Sequence, residues 1–252
     1  MGTELSAQGR RWILIQNDQG YNEWRETAVN LETEPSQAAI IVCDMWDAHW
    51  SRGAVERAEA MLPQMNTVLH SARQQGVHII HAPSETMAFY EGMRPRLRIL
   101  EAPFVAPPSI IDHPEPPLPV DASDGGSDTG ETEMLKVWSR QHPGLEIDLD
   151  RDVISDNGQE IYNYLIQNNL THLFILGVHT NMCVLNRSFA IKQLVRWNLN
   201  VYLVRDLTDA MYNPGRPPYI SHEAGTDLVI GYIERFWCPS VTSDIFLSNK
   251  SR

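Results

Sequence analysis

The chain of 252 residues contains only three cysteines, Cys43, Cys183 and Cys238, and no two of them share a CxxC spacing. So sparse a set, odd in number, suits neither a disulfide framework nor a cysteine-ligated zinc site. No apolar run is long enough to cross a bilayer. The N-terminus, Met1-Gly2-Thr3-Glu4-Leu5-Ser6, lacks the apolar core of a signal peptide. Basic runs are absent as well, and the formal net charge is −12. That balance argues against nucleic acid or an anionic membrane surface as the partner. No internal repeat is found. What remains is ordinary globular composition, 42% hydrophobic and 21% charged, in a chain sized for one large domain. The expectation is a cytoplasmic protein that acts on a small molecule, carries no cofactor and assembles as a symmetric homo-oligomer.

Apolar runs over 38–43, 77–81, 172–176 and 200–204 read as buried strands, with a short one near 240–242. Helical patterns over 54–73, 159–167, 183–197 and 223–236 separate them. Strands that are apolar throughout must be covered on both sides. The pattern therefore predicts an α/β fold, a Rossmann-like doubly wound parallel sheet of about six strands with helices on both faces. Residues 1–37 form an N-terminal extension with a strand at 12–15, expected at a sheet edge or in a ribbon. Residues 38–252 form the main domain. Its stretch at about 92–133, rich in Pro and then in Gly, Ser and Asp, reads as a lid-like surface insertion unable to bury a core.

Ligands of such a sheet bind beyond the carboxyl ends of its strands, and two strand ends carry reactive groups. Cys183 stands where a buried strand gives way to a helix, and Asp44 directly follows the strand at 38–43. A thiol at a helix N-terminus is biased toward the thiolate. The same turn, with the backbone of Val178, His179 and Met182, can hold an oxyanion. A carboxylate on the same edge can take the thiol proton and return it to a leaving group. Each residue alone also has a plainer reading, a small buried cysteine or a helix-capping aspartate. Trp46, Trp50, Phe89 and Tyr90 suggest an aromatic wall around a flat substrate, or simply core packing. The substrate-binding set is Trp46, Trp50, His81, Tyr90 and Asn181. Ser84 and Glu85 share the edge with His81. Asp47 and His49 have the D-x-H spacing of a divalent-metal pair, or of a polar rim. The proline-rich loop at 211–218 is stiff enough to cover the site.

The segments Ile40-Ile41-Val42-Cys43-Asp44-Met45-Trp46 and Gly177-Val178-His179-Thr180-Asn181-Met182-Cys183-Val184 together resemble the isochorismatase-like cysteine hydrolases, which include the nicotinamidases. Val204-Arg205-Asp206, Asp209-Ala210 and Ser221-His222-Glu223 extend the resemblance over residues 38–245, the insertion apart. It implies that Asp44 is the acid/base and Cys183 the nucleophile, with a cis peptide at Val178-His179. It also implies a catalytic lysine before the helix that precedes the cysteine strand. Residues 148–158 should carry it and contain none. Lys136 and Arg151 are the candidate substitutes, although an arginine supplies charge and not a proton. The function implied is hydrolysis of a small amide-type C–N bond through a thioester. The alternatives are vinyl-ether hydrolysis of the isochorismatase type, or a scaffold that binds a ligand or partner without turnover.

Overall fold

The computed structural model describes residues 4–247, so the first three residues of the polar N-terminus lie outside the described residues. The chain opens with an antiparallel hairpin, β1 (Leu5–Gln16) and β2 (Asn22–Thr33). The strand read at 12–15 is the distal part of β1. Strands and helices then alternate: β3 (Ala38–Cys43), α1 (Arg52–Gln75), β4 (His78–Ala82), α2 (Arg94–Leu100), β5 (Val153–Ile154), α3 (Gly158–Gln167), β6 (His172–Val178), α4 (Cys183–Asn186), α5 (Ile191–Arg196), β7 (Asn200–Asp209), α6 (His222–Phe236) and β8 (Ser240–Val241). They build one eight-stranded sheet in the order β2-β1-β8-β7-β6-β3-β4-β5. The strands from β8 to β5 are parallel. The hairpin joins them antiparallel, through Arg10 beside Ser240, so the sheet is two strands wider than the pattern of buried runs predicts.

The continuous apolar character of β3 follows from cover on both faces. Ala38, Ile40 and Val42 pack with Met65, Val68 and Leu69 of α1. Ala39, Ile41 and Cys43 pack on the other face with residues of α3, α4, α5 and α6, among them Leu165, Val184, Leu194 and Ile233. Each fully buried aliphatic side chain contributes about 1.5–3 kcal/mol. The helix ends carry the expected local signals. Gly76 closes α1 in the left-handed region at φ 95°. Asn157 caps α3, its side chain accepting from the amides of Gln159 and Glu160, and Ser221 caps α6.

Two expectations are corrected. The helix read over 183–197 is broken, because α4 is a single turn and Arg187 is extended at φ −59°, ψ 156°. The break is braced by α3. The Gly158 amide donates to Ser188 Oγ at 3.0 Å, and a Cβ on Gly158 would stand 2.0 Å from the Ser188 carbonyl oxygen. The insertion is also more than a coreless excursion. From α2 to β5 the chain has no further regular helix or strand, yet within the insertion Ala102 and Val120 enter one core, and beyond it Leu145 enters the other. Glu115 pairs with Lys192 and Arg196. Tyr232 donates to the Pro116 carbonyl at 2.7 Å, and Arg57 grips Asp128 through two bonds of 2.9 and 3.1 Å. This segment is a strap bound around the domain. Among the described residues no helix is long and apolar enough to cross a membrane.

The strand order positions the site. From β3 the chain builds outward through β4 to β5, then crosses back to β6 on the other side of β3. The carboxyl ends of β3 and β6 therefore flank the crevice at which doubly wound sheets bind ligands. Gly177, near the end of β6 at φ 114°, permits this approach, since a Cβ there would lie 2.1 Å from the Cys43 carbonyl oxygen. Gly177→Ala combines that clash with a backbone conformation unfavourable to alanine. It is expected to destabilise the protein by about 2–4 kcal/mol, measured by chemical denaturation. Wild-type stability in this variant would show that the two strands do not meet so closely.

Candidate active site

Asp44 leaves β3 in the left-handed region, at φ 50°, a conformation that aspartate tolerates better than most residues. The turn buries its carboxylate completely. Oδ1 accepts from the Ser84 amide at 2.7 Å and Oδ2 from Arg187 Nε at 2.9 Å. The Cys183 thiol faces the same carboxylate, close enough for each to influence the other's pKa. Burial raises the Asp44 pKa, and the Arg187 charge is the strongest of the influences that lower it. Two unit charges about 4 Å apart interact by about 4 kcal/mol at an effective dielectric near 20. That is of the same order as the several kcal/mol that burying an ion costs. The pairing therefore permits a carboxylate at this depth.

Cys183 is the first residue of α4. Its thiol is held strongly protonated, first by burial and then by the adjacent Asp44 charge, with Arg187 and the His179 amide acting in the opposite sense. Burial and the Asp44 charge thus work against the thiolate that a helix start would favour. A helix dipole needs several aligned turns, and α4 has one. Among the described residues the Cys183 amide meets no backbone acceptor outside its own turn. The Val178-His179 peptide is cis, and the Met182 amide donates to the His179 carbonyl at 3.0 Å. The turn is held from behind. The Thr180 amide donates to the Asp209 carbonyl at 2.8 Å. The Asp209 carboxylate in turn takes His222 Nε2 and Arg57 Nε, each at 2.9 Å.

Beside this pair, Asp44, Trp46, His49, Val178 and His179 line a narrow cleft. Trp46 donates from Nε1 to the Ser84 carbonyl at 3.1 Å. It stacks on Trp138 with ring centroids 4.2 Å apart and planes 14° from parallel. Trp50 lies against His49 at 5.2 Å. The His49 Nδ1 accepts from the Ser51 amide at 3.2 Å, and burial pushes its pKa down to about 4. The ring is thus neutral with its proton on Nε2. His179 is likewise neutral, held well below the usual histidine range chiefly by burial.

Several sequence-derived assignments change. Tyr90 is buried and its hydroxyl accepts from the Gln141 amide at 2.8 Å, while Phe89 lies exposed under Arg140. The aromatic wall is instead Trp46, Trp138, His49 and Trp50. Trp138 comes from the irregular strap, where no periodicity could single it out. His81 is fully buried, with Nδ1 on Gln141 Oε1 at 2.8 Å and Nε2 on Asp152 Oδ2 at 2.9 Å. Asn181 holds both the amide and the carbonyl of Met211, at 2.8 and 2.9 Å. His81, Tyr90 and Asn181 are thus braces rather than ligand groups. Asp47 takes the Ser139 amide and hydroxyl at 2.9 and 2.6 Å, so it ties down the strap. Among the described residues no cluster of three or more His, Cys, Asp or Glu is arranged to hold a metal.

Neither substitute proposed for the lysine reaches Asp44. Arg151 pairs with Asp148 at 2.8 Å on the surface. Lys136 donates to the Glu85 carbonyl at 2.8 Å. Arg187 is the cation in contact, and sequence reasoning passed over it. The available signal was its spacing, four residues after Cys183, which brings two side chains to one face of a helical turn.

No protein-family model and no curated protein matches the sequence. Among solved structures the chain is similar to a cysteine hydrolase from Pseudomonas syringae pv. phaseolicola 1448A, with a TM-score of 0.52 at 15% identity over 84% of this chain and 92% of that one. An isochorismatase from Pseudomonas putida KT2440 gives a TM-score of 0.48 at 14% identity, over 84% and 90%. The first of these likenesses establishes a shared fold.

Asp44→Asn removes the charge that, after burial, does most to keep the Cys183 thiol protonated. The pH at which Cys183 is half-alkylated should fall by about one unit or more, read by mass spectrometry across a pH series. A midpoint that stays or rises would show that the carboxylate does not face the thiol. A second test concerns Asp152, whose pKa is about 2 because bonds from His81 and Arg73 outweigh its burial. The depressed value contributes about 2 kcal/mol at neutral pH. That stability is fully present above about pH 4 and lost as pH falls toward 2. Asp152→Asn should flatten this acid limb of the unfolding profile.

Proposed function

We propose that the protein is a cysteine hydrolase that cleaves a small amide-type C–N bond through a thioester on Cys183. The observation that carries this reading is the Cys183 thiol facing the buried carboxylate of Asp44 at the point where the strand order reverses. A neutral thiol beside an ionised base is poised for attack coupled to proton transfer. As the sulfur bonds to the substrate carbonyl carbon, its proton passes to Asp44. Asp44 then gives that proton to the nitrogen as the C–N bond breaks and the amine departs. Water next attacks the thioester and yields a proton to Asp44. The C–S bond breaks, and the departing sulfur takes the proton back.

The negative oxygen formed in each step would lie against backbone amides of the turn from Val178 to Cys183. Such preorganised donors supply a large share of the rate in acyl transfer. Trp46 and Trp50, with Trp138 and His49, would border a flat substrate group. The fold shared with a cysteine hydrolase supports the same reading. In this reading the enzyme works in the cytoplasm without a metal and assembles symmetrically.

A panel of small primary and secondary amides, assayed for released ammonia or amine, should reveal turnover. Cys183→Ala and Asp44→Ala should each lower it by at least about 10³-fold with unchanged circular dichroism. The acyl group should be trapped on Cys183 by rapid quench and mass spectrometry. Turnover that persists in Cys183→Ala would sink the thioester and point to the vinyl-ether chemistry of isochorismatase. A panel with no turnover in the wild type would favour a binding scaffold.

A further inference from the structure

We propose that Arg187, from the helix side of the site, supplies the positive charge that the resemblance assigns to a lysine from the sheet side, and that it leaves every proton transfer to Asp44. This rests on the hydrolase reading for its mechanistic meaning, although the contact itself does not. The chain's lysines are Lys136, Lys192 and Lys250. Lys192 is held by Glu115 and Lys136 by Glu85, and Lys250 lies outside the described residues. Arg187 Nε meets Asp44 Oδ2 at 2.9 Å.

The arginine is a built component and not a passing surface charge. The break after α4 turns its backbone extended, and the close approach of Gly158 to Ser188 fixes that break. Its guanidinium lies 5.7 Å from the centre of the Trp46 ring, a favourable placement for a cation on an aromatic face. Nη1 stands 3.6 Å from Glu85 Oε1, and Glu85 accepts from Lys136 through its carbonyl. Charges thus alternate inward from the surface, Lys136, Glu85, Arg187 and Asp44, ending at the thiol.

A lysine could release or share a proton during turnover, whereas a guanidinium stays charged throughout. Arg187 is therefore a positioning residue: it keeps Asp44 ionised and oriented toward Cys183. Its removal should act through Asp44 and the thiol, with little effect on substrate affinity.

Three proteins test this: wild type, Arg187→Gln and Arg187→Lys. In Arg187→Gln the acid limb of kcat/KM should move up in pH by about one unit or more, with kcat falling and KM little changed. The half-alkylation pH of Cys183 with iodoacetamide should also rise, opposite to the change expected for Asp44→Asn. Arg187→Lys keeps the charge and should recover at least part of both shifts, which guards against a simple folding defect. The labelling needs no substrate, so it judges Arg187 even if no amide is turned over and the hydrolase reading fails. The proposal is overturned if neither limb nor labelling midpoint moves in Arg187→Gln. It is equally overturned if that variant raises KM at unchanged kcat, which would make Arg187 a substrate contact.

Discussion

The structure turns on one buried carboxylate. Asp44 is wholly inside the protein, at the end of a central strand, and a lone charge there would be neutralised or the turn would open. It survives because three elements converge on it: the Ser84 amide beyond β4, the Arg187 guanidinium beyond α4, and the Cys183 thiol at the start of α4. Ser84 belongs to the crossover from β4 to β5, and Cys183 and Arg187 to the one from β6 to β7. The reversal of strand order at β3 is what brings them to one crevice, and Gly177 is what lets β6 lie close enough.

The strap does for the mouth of the site what the sheet does for its floor. Trp138 reaches from it to stack on Trp46, Lys136 binds Glu85, and Asp47 gathers Ser139 and Arg140. Farther back along the strap, Asp128 joins Arg57, whose Nε also holds Asp209, the residue beneath the Thr180 amide. The wall of the cleft and the turn bearing Cys183 are thus fastened to the same irregular segment. Polar anchors replace a regular element here because proline lacks the backbone donor of a helix or ladder and the glycine and serine around it favour turns.

Much of the core fold was legible in the residues. Apolar runs such as Ala38–Cys43 have no other stable home than a sheet covered on both faces, and α1 ends at Gly76 while α6 opens after Ser221. Asp44 and Cys183 were legible because strand ends and reactive side chains coincide. The break at Arg187 was not, since the segment 183–197 has helical spacing throughout and the contact of Gly158 with Ser188 at the break comes from a distant part of the chain. Trp138 was hidden for a related reason: a side chain in an aperiodic strap acquires a place only from what the strap crosses. The misassigned His81, Tyr90 and Asn181 sit on the right edge of the sheet, but hydrogen bonds to Asp152, Gln141 and Met211 commit their polar atoms to the scaffold.

By itself, then, the order of residues determined a doubly wound sheet and the two strand ends at which a thiol and a carboxylate emerge. These follow from local periodicity, which depends on neighbours in the chain. Tertiary structure alone decided the burial of Cys183, the cation that answers Asp44, and the aromatic surface that borders them. Those depend on burial and on charges within a few ångströms, contributed by segments up to 143 residues apart in the case of Arg187 and Asp44. A spacing rule carries no record of such distances.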